Sequence, residues 1–144
     1  PCLNTLADNL KMACSMLADH GIQPVFEMIN GTDMPRFLVQ NVAQAQEMLE
    51  AVQHPALKMQ YDCYHMAMMG EDVFEALKEN IDTIGHIQFA DCPGRHEPGT
   101  AIVNYVEIFQ WLENSQYQGY VAAEYRPLKH SAASFGWKTR YFAD

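Results

Sequence analysis

Basic side chains are scarce in this chain: nine Lys and Arg stand against eighteen Asp and Glu over 144 residues, a formal net charge of −9. Recognition of a phosphate backbone relies on clustered Lys and Arg, so this balance opposes nucleic-acid binding. No apolar run approaches the roughly 20 residues of a membrane span, and no membrane role follows. Cysteines are few, and Cys2, Cys14, Cys63 and Cys92 show neither CxxC nor disulfide-framework spacing. With no visible signal peptide, reduced thiols in the cytoplasm are the expectation. Neither GxGxxG nor a Walker-type GxxxxGK motif occurs, so nucleotide and dinucleotide chemistry has no phosphate cradle to rest on. A small molecule is the expected partner.

What is present is a repeated strand ending. PVFE ends at Glu27, KMQYD at Asp62, HIQ at Gln88 and YVAAE at Glu124, and each reads as a short β-strand finishing on a side chain able to bind a metal. Parallel α/β folds put their chemistry at the carboxyl ends of strands, where several strands aim side chains at one point. The intervals of 35, 26 and 36 residues suit strand, loop, helix and return loop.

Between the strands, helical spacing recurs. PRFLVQNVAQAQEMLEAV repeats apolar residues every three or four positions, with Pro35 acceptable at a helix start. EDVFEALKENIDTI repeats the pattern through Ile84, and NYVEIFQWLENSQY follows a cap at Asn104. The leading NTLADNLKMACSMLADHG stops at Gly21, and SFGWKTRYFAD reads as a short terminal helix. The fold class expected is α/β of the TIM-barrel type, with four parallel βα units forming about half a barrel. Residues 1–144 would be a single partial domain, since an eight-unit barrel needs roughly 250 residues. Such a half exposes two sheet edges and an apolar inner face, so the expectation is a homodimer or a complementing amino-terminal half.

Glu27, Asp62, Gln88 and Glu124 make an all-oxygen ligand set suited to Mg²⁺ or Mn²⁺ rather than Zn²⁺. A metal there would polarise a carbonyl and its neighbouring hydroxyl, and Glu27 and Glu124, on the first and last strands, could exchange a proton between adjacent carbons. That is aldose–ketose type isomerisation. His65 lies just past the second strand, within reach of a substrate oxygen. After Gln88 the loop FADCPGRHEPGT carries Arg95, His96 and Glu97 and reads as a substrate-facing loop, with Arg95 suited to a substrate carboxylate and His96 expected beside it as a substrate-binding residue.

QYDCYHM, HIQFADCPGRHEPGT, NYVEIF and YQGYVAAEYRP resemble the hydroxypyruvate isomerase family, within the xylose-isomerase-like barrel superfamily. The resemblance runs from about Pro24 to Trp137, matches the carboxyl-terminal half of that barrel, and is most distinctive at GRHEPG. It implies a divalent metal on Glu27, Asp62, Gln88 and Glu124, with the two glutamates as acid and base. It also implies interconversion of hydroxypyruvate and tartronate semialdehyde (2-hydroxy-3-oxopropanoate) without a redox cofactor. Sugar epimerases of the superfamily have a histidine and an arginine near the substrate at positions similar to His65 and Arg95. Alternatives are an isomerase or epimerase of four-carbon 2-oxo acids or related sugar acids and a non-catalytic half-barrel that binds metal or pairs with another chain. A DNA-repair endonuclease on the same barrel is disfavoured by Gln88 and the negative charge.

Overall fold

Four strands with the register of a parallel sheet carry the molecule, in a computed structural model that describes residues 1–142. β1 (Val25–Glu27), β2 (Lys58–Asp62), β3 (Ile84–Phe89) and β4 (Tyr120–Ala123) lie side by side in chain order, every neighbouring pair parallel. This is the sheet of a TIM-barrel-type α/β fold, with a helix crossing between successive strands. Glu124 lies just past β4, yet its N–H still donates to the Phe89 carbonyl at 3.1 Å, so the backbone pairing reaches the residue expected to end the strand.

Side chains alternate across the sheet, and the two faces differ. Met59, Tyr61, Ile87 and Phe89 turn toward the helices and are buried with Ala45, Leu77, Ile108 and Phe109. Each large apolar side chain fully buried there contributes about 1.5–3 kcal/mol. α1 (Cys2–Ala18) packs on α2 (Val42–Val52) through Ala7, Cys14, Met48 and Val52. The opposite face carries Glu27, Lys58, Gln60, Asp62, His86 and Gln88. An apolar inner face was the expectation; the alternation instead delivers a largely polar one, with Val25 and Tyr120 as its exposed apolar members.

Helix boundaries depart from the periodicity in three places. The run expected to be helical from Pro35 begins its helix at Val42, because Asn41 caps it by accepting the Gln44 N–H at 2.9 Å. Residues 35–41 are turn and extended chain; Val39 is buried there and its carbonyl accepts the Ile29 N–H. α4 (Val73–Asn80), capped by Asp72, gives way to a 3-10 turn at Ile81–Thr83, so Ile84 opens β3 rather than closing a helix. Residues after Asp62 form a helix of their own, α3 (Cys63–Met68), whose N-cap is Asp62 itself. α5 (Tyr105–Asn114) starts behind Asn104 as expected, and α6 (Gly136–Tyr141) is the short terminal helix. Among the described residues no helix is long and apolar enough to cross a membrane.

Candidate active site

At the carboxyl ends of the strands a cleft of about 540 Å³ is lined by Glu27, Asp33, Tyr64, His65, Arg95 and Glu124, among others. A cleft of about 620 Å³ at the opposite end of the sheet, bordered by Gln23, Gly85, Trp111 and Gly119, gathers no comparable set of charged groups. The chemistry is concentrated at the end where parallel sheets place it.

Asp62 organises the site. As N-cap of α3 it accepts the Tyr64 N–H at 2.9 Å through Oδ1, which turns Oδ2 toward Arg95 Nη2 at 3.1 Å. Asp62 is fully buried. Desolvation pushes its carboxyl up to about 7; the Tyr64 N–H and Arg95 pull it down, and Glu27 and Glu124 add repulsion. Glu27 closes β1, half-buried, and burial raises its pKa, the Gln60 amide opposing that by donating to it. Glu124 is tied from the far side of the sheet by Arg95 Nη2, 2.8 Å from Oε1.

Arg95 thus clamps carboxylates from β2 and the end of β4 rather than pointing at open solvent. Its residue sits at φ 56°, and its guanidinium also lies over the Tyr64 ring, 5.1 Å from the centroid. The loop that presents it is tied down by Asp91, which is buried and accepts five backbone N–H groups. Gly99, Thr100 and Ala101 donate to Oδ2, and Cys92 and Val103 to Oδ1, all within 3.0 Å. His96 is placed outside the cleft lining. Its Nδ1 lies 2.7 Å from the Arg126 carbonyl, an N–H donation that pins the loop to the chain leaving β4.

His65, on α3, is buried, with Nε2 3.8 Å from Glu27 Oε1 and 3.6 Å from Asp62 Oδ2. Burial and the nearby Arg95 charge lower its pKa to about 4, so the ring is neutral near pH 7. Gln88 sits beside Asp62 in the β2–β3 register, and its Oε1 accepts from Gln60 Nε2 at 2.6 Å.

Four residues that the strand-end pattern did not flag join the site. Gln60 precedes Asp62 by two, the period that puts both on one face of a strand, and that spacing was the available signal. Asn30 and Asp33 lie in the turn-rich MINGTDMP loop just past Glu27, where polar loop residues beyond a strand end are the signal. Asn30 Nδ2 donates to Asp33 Oδ2 at 3.0 Å, and the Tyr64 hydroxyl donates to the same oxygen at 2.7 Å. Those two hydrogen bonds hold the Asp33 carboxyl below its ordinary range.

The donor set accommodates a divalent cation. Glu27, Asp62 and His65 offer ligand atoms all within 4.8 Å of one another, the one such His, Cys, Asp and Glu group among the described residues. Glu27 and Glu124 repel the buried Asp62 carboxylate, and a cation placed among the three would relieve that repulsion.

Comparison with known proteins agrees with the architecture. A family model described as "Xylose isomerase-like TIM barrel" matches residues 1–140. The chain is 39% identical over 137 residues to a hydroxypyruvate isomerase of Escherichia coli, covering 95% of this chain and 53% of that protein. To a 2-oxo-tetronate isomerase of Cupriavidus necator it is 36% identical over 140 residues, covering 97% and 54%. Among solved structures it superposes on an AP endonuclease, family 2, from Brucella melitensis with a TM-score of 0.92 and 31% identity, over 97% of this chain and 54% of that one. A 3-keto-D-glucoside 4-epimerase from E. coli gives 0.80 and 25%, over 94% and 52%. The chain spans about half the length of the relatives it matches. With the parallel sheet and the strand-end site on the same footing as that family match, the chain belongs to the xylose isomerase-like TIM barrel family.

Proposed function

We propose that this chain carries the site of a metal-dependent isomerase that interconverts hydroxypyruvate and tartronate semialdehyde. The observation that carries the reading is the convergence of Glu27 and Glu124, from two strand ends, on one cleft with Arg95, whose guanidinium also binds the buried Asp62 carboxylate at the end of β2. Similarity to proteins named hydroxypyruvate isomerase supports the substrate class.

Glu27, Asp62, Gln88 and Glu124 would hold Mg²⁺ or Mn²⁺, an ion that supplies Lewis-acid polarisation of the substrate's carbonyl and hydroxyl oxygens. The rest of the chemistry belongs to this chain. Glu124 takes a proton from C3 of hydroxypyruvate, leaving an enediolate in which the proton of the C3 hydroxyl passes to the C2 oxygen. Glu27, whose raised pKa suits it to carry a proton, delivers one to C2 to give tartronate semialdehyde, and the two exchange roles in reverse. Neither redox change nor added atom is needed. Arg95, already in the cleft, pairs with the substrate carboxylate in place of one of its present partners, and His65 faces a substrate oxygen. His96 acts at one remove, by pinning the loop that carries Arg95.

The endonuclease name of the Brucella structure favours no second reading here. A net charge of −9 opposes a DNA substrate, and the metal-competent cluster among the described residues holds one histidine. A 2-oxo-tetronate substrate is the nearer alternative, supported by the Cupriavidus relative. Purified chain with Mg²⁺ or Mn²⁺ is expected to convert hydroxypyruvate, to lose that activity in EDTA, and to lose it in Glu124→Gln, which keeps an oxygen ligand but carries no proton. Turnover unaffected by EDTA and by Glu124→Gln would overturn the assignment. A preference for 2-oxo-tetronate would move the substrate and leave the mechanism. Solution mass in the same samples tests the expected homodimer or need for a complementing half.

A further inference from the structure

Buried Asn30 makes a set of contacts that decides how the His65 ring is protonated. The Asn30 Oδ1 accepts the backbone N–H of Thr32 at 3.1 Å and of Asp33 at 2.8 Å. An amide oxygen alone can face two N–H groups, so the orientation of the amide is fixed, and its Nδ2 must face the other way. There it donates to Asp33 Oδ2 at 3.0 Å and lies 2.6 Å from His65 Nδ1. The backbone N–H of Asn30, a donor that no flip can change, also points at Nδ1, at 3.4 Å. Two donors converge on one ring nitrogen, which therefore carries the lone pair. In a neutral imidazole the proton then resides on Nε2.

The other end of the ring agrees. Nε2 faces Glu27 and Asp62 oxygens at 3.8 and 3.6 Å. A lone pair there would oppose two carboxylates; an N–H is attracted to both. Resting on the isomerase reading above for its role, we propose that Asn30 locks His65 as the neutral Nε2–H tautomer, a hydrogen-bond donor to the substrate oxygen beside Glu27 and Asp62 and not a metal ligand. Asn30 is a positioning residue, and its loop reads out through α3 into the chemistry. A protonated Nε2 has no lone pair to give a cation, so the ligands left to a metal are the oxygen donors at the strand ends.

Nitrogen-15 NMR of the histidine-labelled chain tests this without any turnover. The His65 ring is expected to show a protonated Nε2 and an unprotonated Nδ1, and to keep its Nε2 proton when Mg²⁺ is added. A scalar coupling across the Asn30 Nδ2–H to His65 Nδ1 hydrogen bond is expected in the wild-type chain, so the test does not depend on a variant that folds. In Asn30→Asp the carboxylate can only accept, and the dominant form should shift to Nδ1–H. An Nδ1–H ring in the wild type, loss of the Nε2 proton on Mg²⁺ addition, or an unchanged tautomer in folded Asn30→Asp would each overturn the proposal. Failure of the isomerase reading looks different: the Nε2–H ring is present and hydroxypyruvate is not turned over.

Discussion

Replacing Asp62 with Asn should flatten part of the chain's stability profile with pH, by an amount the burial of that side chain sets. Burial holds the folded carboxyl at about 7, against an ordinary 3.8. The folded state therefore binds the proton more tightly than the unfolded state does. Stability linked to this group is complete below pH 3.8 and is lost as pH rises through 7, about 4 kcal/mol in all. About 3 kcal/mol of that falls between pH 5 and pH 8, the rest having been spent on ionising the unfolded chain below pH 5. His65 runs in the opposite sense: held at about 4 against 6.5, it contributes above pH 6.5 and loses that contribution as pH falls toward 4. Both proteins contain His65, so subtraction removes it. Urea unfolding of wild type and Asp62→Asn in EDTA, at pH 5 and pH 8, gives the comparison. The variant should gain about 3 kcal/mol on the wild type between the two pH values, whatever constant offset the lost Arg95 contact adds. A difference that stays the same at both pH values would refute the claim that Asp62 is a carboxylate stabilised in its protonated form.

The same titration predicts metal binding. Apparent Mg²⁺ or Mn²⁺ affinity, followed by calorimetry, should rise about tenfold per pH unit below pH 7 and level off above it, because one ligand must first lose a proton; affinity independent of pH would exclude Asp62 from the ligand set. Arg95→Ala should raise KM for hydroxypyruvate at least about tenfold, from the loss of a charge-assisted contact worth about 1.5–3 kcal/mol. An unaltered KM in steady-state kinetics would place the substrate anion elsewhere. Asp91→Asn keeps one acceptor oxygen where five N–H groups now converge, so at least one is left unpaired at about 1–3 kcal/mol. Denaturant unfolding should show that loss, and a variant as stable as wild type would mean the loop does not depend on Asp91.

Legibility in the sequence followed the range of the interactions. Strand ends at Glu27 and Asp62 were readable because a short strand-like run with a terminal polar residue is a local signal, and β1 and β2 end there; β3 runs one residue past Gln88, to Phe89. Asn104 as a cap was equally local and is the cap observed. Asn41 was the miss of the same kind: apolar spacing extended the helix back to Pro35, yet Asn41 ends the extended chain that buries Val39. The helix α3 was invisible because six residues hold too few periods, and it exists through Asp62, a residue noticed for another reason. Arg95 was flagged for a substrate carboxylate, but its partners Asp62 and Glu124 lie 33 and 29 residues away. The bonds of Asn30 and Asp33 to α3 depend on a loop folding back across the strand ends, which no local pattern records.

Proton transfer at carbon is the central claim, and deuterium measures it directly. Hydroxypyruvate incubated with the chain and Mg²⁺ or Mn²⁺ in D₂O, followed by proton NMR, should lose its C3 proton signal faster than in the EDTA control. The acceleration should vanish in Glu124→Gln. Exchange at the same rate with and without the metal-loaded chain would contradict the account, since a site that cannot remove the C3 proton cannot form the enediolate.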